Sequence, residues 1–97
     1  MNKTELIRFA AVRANCSQPV MKRCLEAIVS TIVDNVSVGE TVKINNFGLF
    51  YRKKKAATVG RDLNKNTTVD IPERIIPAFL PGKEFKHIVE EMTQGRK

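Results

Sequence analysis

Apolar residues recur at helical spacing over the first part of the chain. Leu6, Ile7, Ala10, Ala11 and Ala14 mark one face, and Phe9 and Val12 widen it. Asn2 precedes the segment and Glu5 stands three residues on, a variant of the capping box. The pattern therefore predicts a helix over residues 2–14. Ser17 offers a second N-cap, and Pro19 is tolerated because it lies in a first turn. Met21, Cys24, Leu25, Ile28, Val29, Ile32, Val33 and Val36 then form a wide apolar stripe. It is wider than the short first helix covers, which points to a second chain packed against it. Gly39 ends this helix, as glycine does where a left-handed residue is needed.

The period changes at Thr41. Residues 41–45 alternate, with Val42 and Ile44 on one face, and predict a strand. Asn46-Phe47-Gly48 reads as a short turn, and residues 49–55 as a second strand, apolar at first and then abruptly basic. Residues 56–68 have no apolar face. With Gly60, Asp62, Asn64 and Asn66 they read as a long exposed turn. Residues 69–79 are extended again, and Pro72 and Pro77 make them an edge strand or irregular. Pro81-Gly82 breaks the chain, and residues 83–92 form a short amphipathic helix with Phe85, Ile88, Val89 and Met92 on one side. Residues 93–97 read as a loose polar tail. Two helices, three strands with a long excursion and a final helix make an α+β fold, helices and sheet segregated along the chain.

Composition narrows the class. A chain of 97 residues has room for one domain, and its 42% hydrophobic content is too high for a disordered basic tail. So short a chain builds only a small core, which favours oligomerisation. No apolar run approaches the roughly 18 residues of a membrane span. The N-terminus lacks the apolar stretch of a signal peptide, so the expectation is a cytoplasmic protein with no membrane contact. Cys16 and Cys24 make no disulfide framework, and Cys24 reads as a small buried hydrophobe in a reducing compartment. With His87 the only histidine, Cys and His alone cannot supply the set of about four ligands that a zinc site needs. Neither a phosphate-binding glycine loop nor a nucleophile motif appears. No metal, cofactor, small-molecule substrate or enzymatic activity is expected.

Charge adds a direction. Lys and Arg number 17 against 10 Asp and Glu, a formal net charge of +7. Residues 1–40 hold five cations and four acids, so +6 of that excess lies beyond Glu40. The densest run is Arg52-Lys53-Lys54-Lys55, followed by Arg61 and Lys65, with Asp62 alone opposing them in that stretch. Strand alternation places Lys53 and Lys55 on one face and Arg52 and Lys54 on the other. One reading is a solvated edge strand that lysines protect from aggregation. The other is a basic ribbon that meets a polyanion, since two strands fit a nucleic-acid groove.

Several stretches together resemble the HU/IHF family of bacterial DNA-bending proteins. They are Met1-Asn2-Lys3-Thr4-Glu5-Leu6-Ile7, Asn46-Phe47-Gly48-Leu49-Phe50, Gly60-Arg61-Asp62-Leu63 and Pro77-Ala78-Phe79-Leu80-Pro81-Gly82-Lys83. The likeness runs over nearly the whole chain. It implies an intertwined dimer, most simply a homodimer, with a heterodimer with a paralogue as the variant. Residues 1–40 would form the helical base, residues 41–82 a saddle, and residues 53–74 a β-ribbon arm that wraps duplex DNA in the minor groove. Phe47, Phe50 and Phe79 would be core aromatics.

Site residues follow from the same likeness. Arg61 matches the arm-tip motif and would enter the minor groove. Lys53 and Lys55 would meet phosphates or the groove along one arm strand, and Arg74 on the returning strand. Lys65 would add charge near the tip. Lys83 and Lys86, at the last helix, and Lys3 would meet phosphates on the flank, where the helix start also offers free backbone N–H groups. Each lysine has the plain alternative of a solvated surface charge.

The chain departs from the family pattern at the tip. Asp62-Leu63 stands where the family has Asn-Pro, whose proline wedges between base pairs. Leu63 is still an apolar wedge, though ordering it costs more entropy. Asp62 sets a negative charge beside the expected phosphates. Asn66 stands for the tip-turn glycine, and Asn46 for the glycine before Phe47, asparagine being next best in a left-handed conformation. The leading expectation is an architectural protein of the nucleoid that bends and compacts duplex DNA with little sequence preference. A site-specific bending factor of the IHF kind, suggested by Pro81-Gly82 and the C-terminal tail, is one alternative. A same-fold scaffold for anionic partners is another.

Overall fold

The computed structural model describes residues 1–94, and the chain falls into two compact units, Met1–Asp34 and Asn35–Lys97. The elements in order are α1 (Lys3–Ala14), α2 (Gln18–Ser37), β1 (Val42–Ile44), β2 (Gly48–Lys55), β3 (Thr58–Asp62), β4 (Thr67–Ile71), β5 (Arg74–Pro81) and α3 (Lys83–Gln94). This is the expected α+β class.

In the first unit both helices start where their caps predict. The Asn2 side chain accepts from the Glu5 N–H at 2.9 Å, and Ser17 Oγ from the Val20 N–H at 3.3 Å. Asn15, at φ 56°, ends α1, and the Cys16 N–H reaches back to the Ala11 carbonyl at 3.0 Å. This closes the helix in the manner of a Schellman motif. Ile7 and Ala11 are buried, whereas Leu6, Phe9, Val12, Ile28, Val29 and Val33 are exposed. Cys24 is exposed too, contrary to the expectation that it is buried. It belongs to a stripe on α2 that has more apolar width than this unit covers.

The second unit begins with the end of α2. Gly39 sits at φ 92°, and its N–H donates to the Val36 carbonyl at 3.0 Å. The Arg52 guanidinium donates to the carbonyl of Ser37 at 3.4 Å, so a strand side chain serves the open carbonyls at this helix end. Strands β1, β2 and β5 form an antiparallel sheet in the order β1-β2-β5. The Phe47 N–H donates to the Ile44 carbonyl at 3.0 Å and closes the β1–β2 turn, with Asn46 at φ 67°. The left-handed geometry explains why asparagine replaces the family glycine here.

Four phenylalanines gather on one face of this sheet. Phe50 and Phe79 face each other across the register with ring centroids 4.8 Å apart, and Phe47 stacks on Phe85 of α3 at 5.5 Å. Phe47 and Phe79 also meet at 5.3 Å. The expected core aromatics are thus together, although Phe47 and Phe79 keep about two fifths of their surface in this single chain. Gly48 is buried under them. A Cβ there would stand 2.5 Å from the Phe79 ring and 2.7 Å from the Leu80 carbonyl oxygen.

The excursion differs from the pattern-based expectation. Residues 56–68 are not one long turn, because β3 and β4 pair from Thr58↔Ile71 to Asp62↔Thr67. The pairing of β2 with β5 runs to Lys55↔Arg74 and then stops, leaving Ala56-Ala57 and Pro72-Glu73 outside both ladders. Pro72 has no N–H to give a ladder, which accounts for the break. Pro77 lies on β5, an edge strand, where a missing donor is tolerated. Helix α3 is two residues longer than predicted, and Thr93 Oγ1 donates to the Val89 carbonyl at 2.9 Å. The rest of the expected tail, residues 95–97, lies outside the described residues. Among the described residues no helix is long and apolar enough to cross a membrane.

Gly48→Ala forces a methyl group into the Phe79 ring. Overpacking of this kind costs roughly 1–3 kcal/mol. Urea unfolding of the variant is expected to show a lower midpoint at unchanged slope.

Candidate nucleic-acid interface

The candidate residues fall into three groups and one outlier. On β2 and β5 the register sets Lys53 opposite Ile76 and Lys55 opposite Arg74. Alternation then puts Lys53, Lys55 and Arg74 on the sheet face that carries Leu49 and Tyr51, away from the phenylalanines. The other half of the basic run has local partners. Arg52 serves the α2 carbonyl, and Lys54 Nζ stands 3.3 Å from Glu73 Oε1. The run is therefore divided, Arg52 and Lys54 having local partners and Lys53 and Lys55 standing exposed on the other face.

The second group is the hairpin tip. Asp62 Oδ1 accepts from the backbone N–H of Asn64 at 3.0 Å and of Lys65 at 3.3 Å. Arg61 Nη2 donates to Asn66 Oδ1 at 2.7 Å, across a turn in which Asn66 takes φ 52°. Leu63 stands out from this turn with 85% of its surface exposed. The sequence marks Asp62 as a turn residue and as an unfavourable charge beside the expected phosphates. The structure gives it a constructive task, since its carboxylate ties down two N–H groups that otherwise leave the tip loose. The signal was present as Asp62 two and three residues before Asn64 and Lys65, the spacing of an Asx turn.

The third group is Lys83 and Lys86, both exposed, in the first turns of α3. The Lys86 N–H already serves the Gly82 carbonyl at 3.0 Å. Near them Lys43, exposed on β1 opposite Leu49, is a cation that sequence reasoning passed over. Its place between inward-facing Val42 and Ile44 is the pattern that marks it as outward.

Lys3 is the outlier. It belongs to the first unit, where its Nζ donates to Glu26 Oε2 at 2.8 Å. This hydrogen bond, with the attraction of the Lys3 charge and a smaller one from Lys22, holds the Glu26 carboxyl below the usual carboxylate range. Both side chains are largely exposed, so the pair is open to competition by another anion.

A basic ribbon with an exposed apolar tip, a sheet closed by a phenylalanine cluster and a final helix opening on lysine now stand together. The family described as "Bacterial DNA-binding protein" matches residues 1–90. The chain belongs to this HU/IHF family. Among its relatives, DNA-binding protein HU of Buchnera aphidicola is 34% identical over 92 residues, covering 95% of this chain and 100% of the relative. DNA-binding protein HU of Thermotoga maritima is 38% identical over 90 residues, covering 93% and 100%. Of the solved structures, the Anabaena HU–DNA cocrystal structure aligns with a TM-score of 0.86 at 35% identity, over 92% of this chain and 97% of that one. The Thermotoga maritima HU mutant V42I aligns with a TM-score of 0.71 at 31% identity, over 92% and 99%. These HU relatives give no support to the IHF-type alternative.

Two outcomes follow from these contacts. Because the folded-state pKa of Glu26 is depressed, its link to Lys3 is present above the usual carboxylate range. It is lost as pH falls through the depressed value. In a carbonyl-detected NMR titration, Lys3→Met is expected to raise the Glu26 midpoint towards that range. At the tip, Asp62→Ala is expected to speed amide exchange of Asn64 and Lys65 about tenfold, while Asp62→Asn, which keeps the acceptor oxygen, leaves it near wild type.

Proposed function

We propose that this protein binds duplex DNA as an architectural factor, bending and compacting it with little sequence preference. The observation that carries the reading is the hairpin arm, which bears exposed cations along one face and Leu63 at its apex. Its supports are membership of the family, and HU relatives that match over nearly their full length. A neighbour crystallised with DNA aligns over 92% of the chain. Lys53, Lys55 and Arg74 neutralise phosphates along the arm, and Arg61 and Lys65 do so near the tip. Leu63 wedges between base pairs and unstacks them. Lys83, Lys86 and Lys3 hold the flanks of the bent duplex. Unstacking costs a few kcal/mol per step and is offset by the surface that a bent duplex wraps.

The working unit of this reading is a dimer of identical chains, associated with the nucleoid. Its support is the apolar surface that one chain leaves uncovered. Ile28, Val29 and Val33 on α2 and Leu6, Phe9 and Val12 on α1 are all exposed. A second chain on these faces supplies the core that a small chain lacks.

Affinity for one mixed-sequence duplex, intact and nicked, tests the function at low and moderate salt. Tight binding that falls steeply with salt and favours the nicked duplex is expected, because counterions are released and a nick lowers the cost of bending. Leu63→Ala is expected to reduce the bend, read by end-to-end fluorescence energy transfer, with affinity changed less than about threefold. Equal bending by the variant would remove the wedge from the mechanism. No binding at low salt would overturn the function.

A further inference from the structure

The outer arm differs in charge from its base. Residues 56–73 carry two cations, Arg61 and Lys65, against three carboxylates, Asp62, Asp70 and Glu73. Even with Glu73 paired to Lys54, the hairpin is left neutral. What seats it in a groove therefore acts at short range, at the tip. There Asp62 Oδ1 accepts from the N–H groups of Asn64 and Lys65, which draws the carboxylate over the turn beside Leu63. The second oxygen, Oδ2, has no partner among the described residues. No cation neutralises it within that set either. Arg61 donates instead to Asn66 Oδ1, and as neighbours on β3 Arg61 and Asp62 point to opposite faces of the hairpin. The apex thus joins an exposed apolar side chain to an anion with one oxygen fixed and the other open.

We propose that Asp62 makes the tip selective for the base pair at the kink, by accepting through Oδ2 the exocyclic amino group of guanine. The proposal rests on the DNA-binding function and refines it. The preference is confined to the kinked step, and the rest of the site stays unread. Its chemistry follows from what the minor groove displays. A·T and T·A pairs present only acceptors there, whereas a G·C pair adds one donor, the N2 amino group. A carboxylate brought beside acceptors has given up water and gained repulsion. Beside the amino group it gains a charge-assisted hydrogen bond. Leu63 supplies the approach, because the side chain that unstacks a step carries its neighbour's carboxylate to the groove floor. The turn bonds to Oδ1 hold the carboxylate in place beforehand, so little ordering is left to do on binding. The resulting preference runs against ease of distortion. A G·C pair holds one more hydrogen bond than an A·T pair and resists unstacking more, so deformability alone favours the opposite choice.

Four nicked duplexes that differ only in the pairs flanking the nick test this with the full chain. The pairs are G·C, inosine·C, A·T and 2,6-diaminopurine·T. Inosine is guanine without the amino group, and diaminopurine is adenine with it. Competition binding at one moderate salt concentration is the readout. The wild-type chain is expected to bind each amino-bearing duplex roughly five- to tenfold more tightly than its counterpart without the group. Asp62→Asn keeps an acceptor oxygen for the turn and sets an amide N–H donor in place of Oδ2. It is expected to reverse the order, favouring inosine·C and A·T. Asp62→Ala is expected to bind all four alike. Equal wild-type affinity for the four, or an order that follows ease of unstacking, would overturn the role of Asp62 and leave the DNA-binding function standing. So would a preference for the amino group that survives unchanged in Asp62→Asn and Asp62→Ala, since another residue then reads it. Failure of the wild-type chain to bind any of the duplexes would overturn both readings together.

Discussion

Side chains alternate along a strand, and the register of β2 against β5 fixes where each one points. Phe50 opposite Phe79 commits that face to the aromatic cluster. Every even-numbered residue of β2 from Phe50 to Lys54 then goes with it, and every odd-numbered residue faces the other way. Gly48 holds this arrangement in place, since the space a Cβ needs there is filled by the Phe79 ring. A slip of one residue would exchange the two faces, burying lysines against phenylalanines. The cluster therefore orients the basic residues as well as stabilising the sheet.

The same constraint explains how four adjacent cations coexist. Arg52 and Lys54 lie on the aromatic face and are absorbed locally, one by the carbonyl end of α2 and the other by Glu73. Lys53 and Lys55 lie on the opposite face, exposed to solvent. Asp62 and Glu26 follow a related logic. Asp62 looks in the sequence like a loss of positive charge at the tip, and Glu26 stands 23 residues from the lysine it pairs with. In the structure one builds the tip turn and the other holds Lys3 in place.

The helices were legible in the chain because their signals are local. Asn2 and Ser17 cap where they stand, and the apolar stripes of α1 and α2 repeat at helical spacing. Of the three left-handed asparagines, Asn46 and Asn66 were legible through the family resemblance, as replacements for glycine. The hairpin β3–β4 was not visible in the polarity pattern at all. Hydrophobic alternation reports burial of one face, and this ribbon has no core against which to bury one. Only the likeness to the family foretold an arm over residues 53–74. Cys24 misled for the complementary reason, because an apolar stripe says that a surface will be covered without saying by which chain. Lys43 was passed over because it stands alone between Val42 and Ile44, away from the basic run, and Asp62 was legible as a turn residue but not as the acceptor for the Asn64 and Lys65 N–H groups.

The paired interruptions at Ala56-Ala57 and Pro72-Glu73 separate two hydrogen-bond ladders at one level. Cooperativity within a ladder passes from each bonded pair to the next, and here the succession ends. The β3–β4 hairpin, the outer part of the arm, is consequently a hydrogen-bond ladder of its own. It can fray to its base without breaking a bond of the ladder beneath. A change at Asp62 or Leu63 therefore reaches the phenylalanine cluster through no shared ladder of hydrogen bonds.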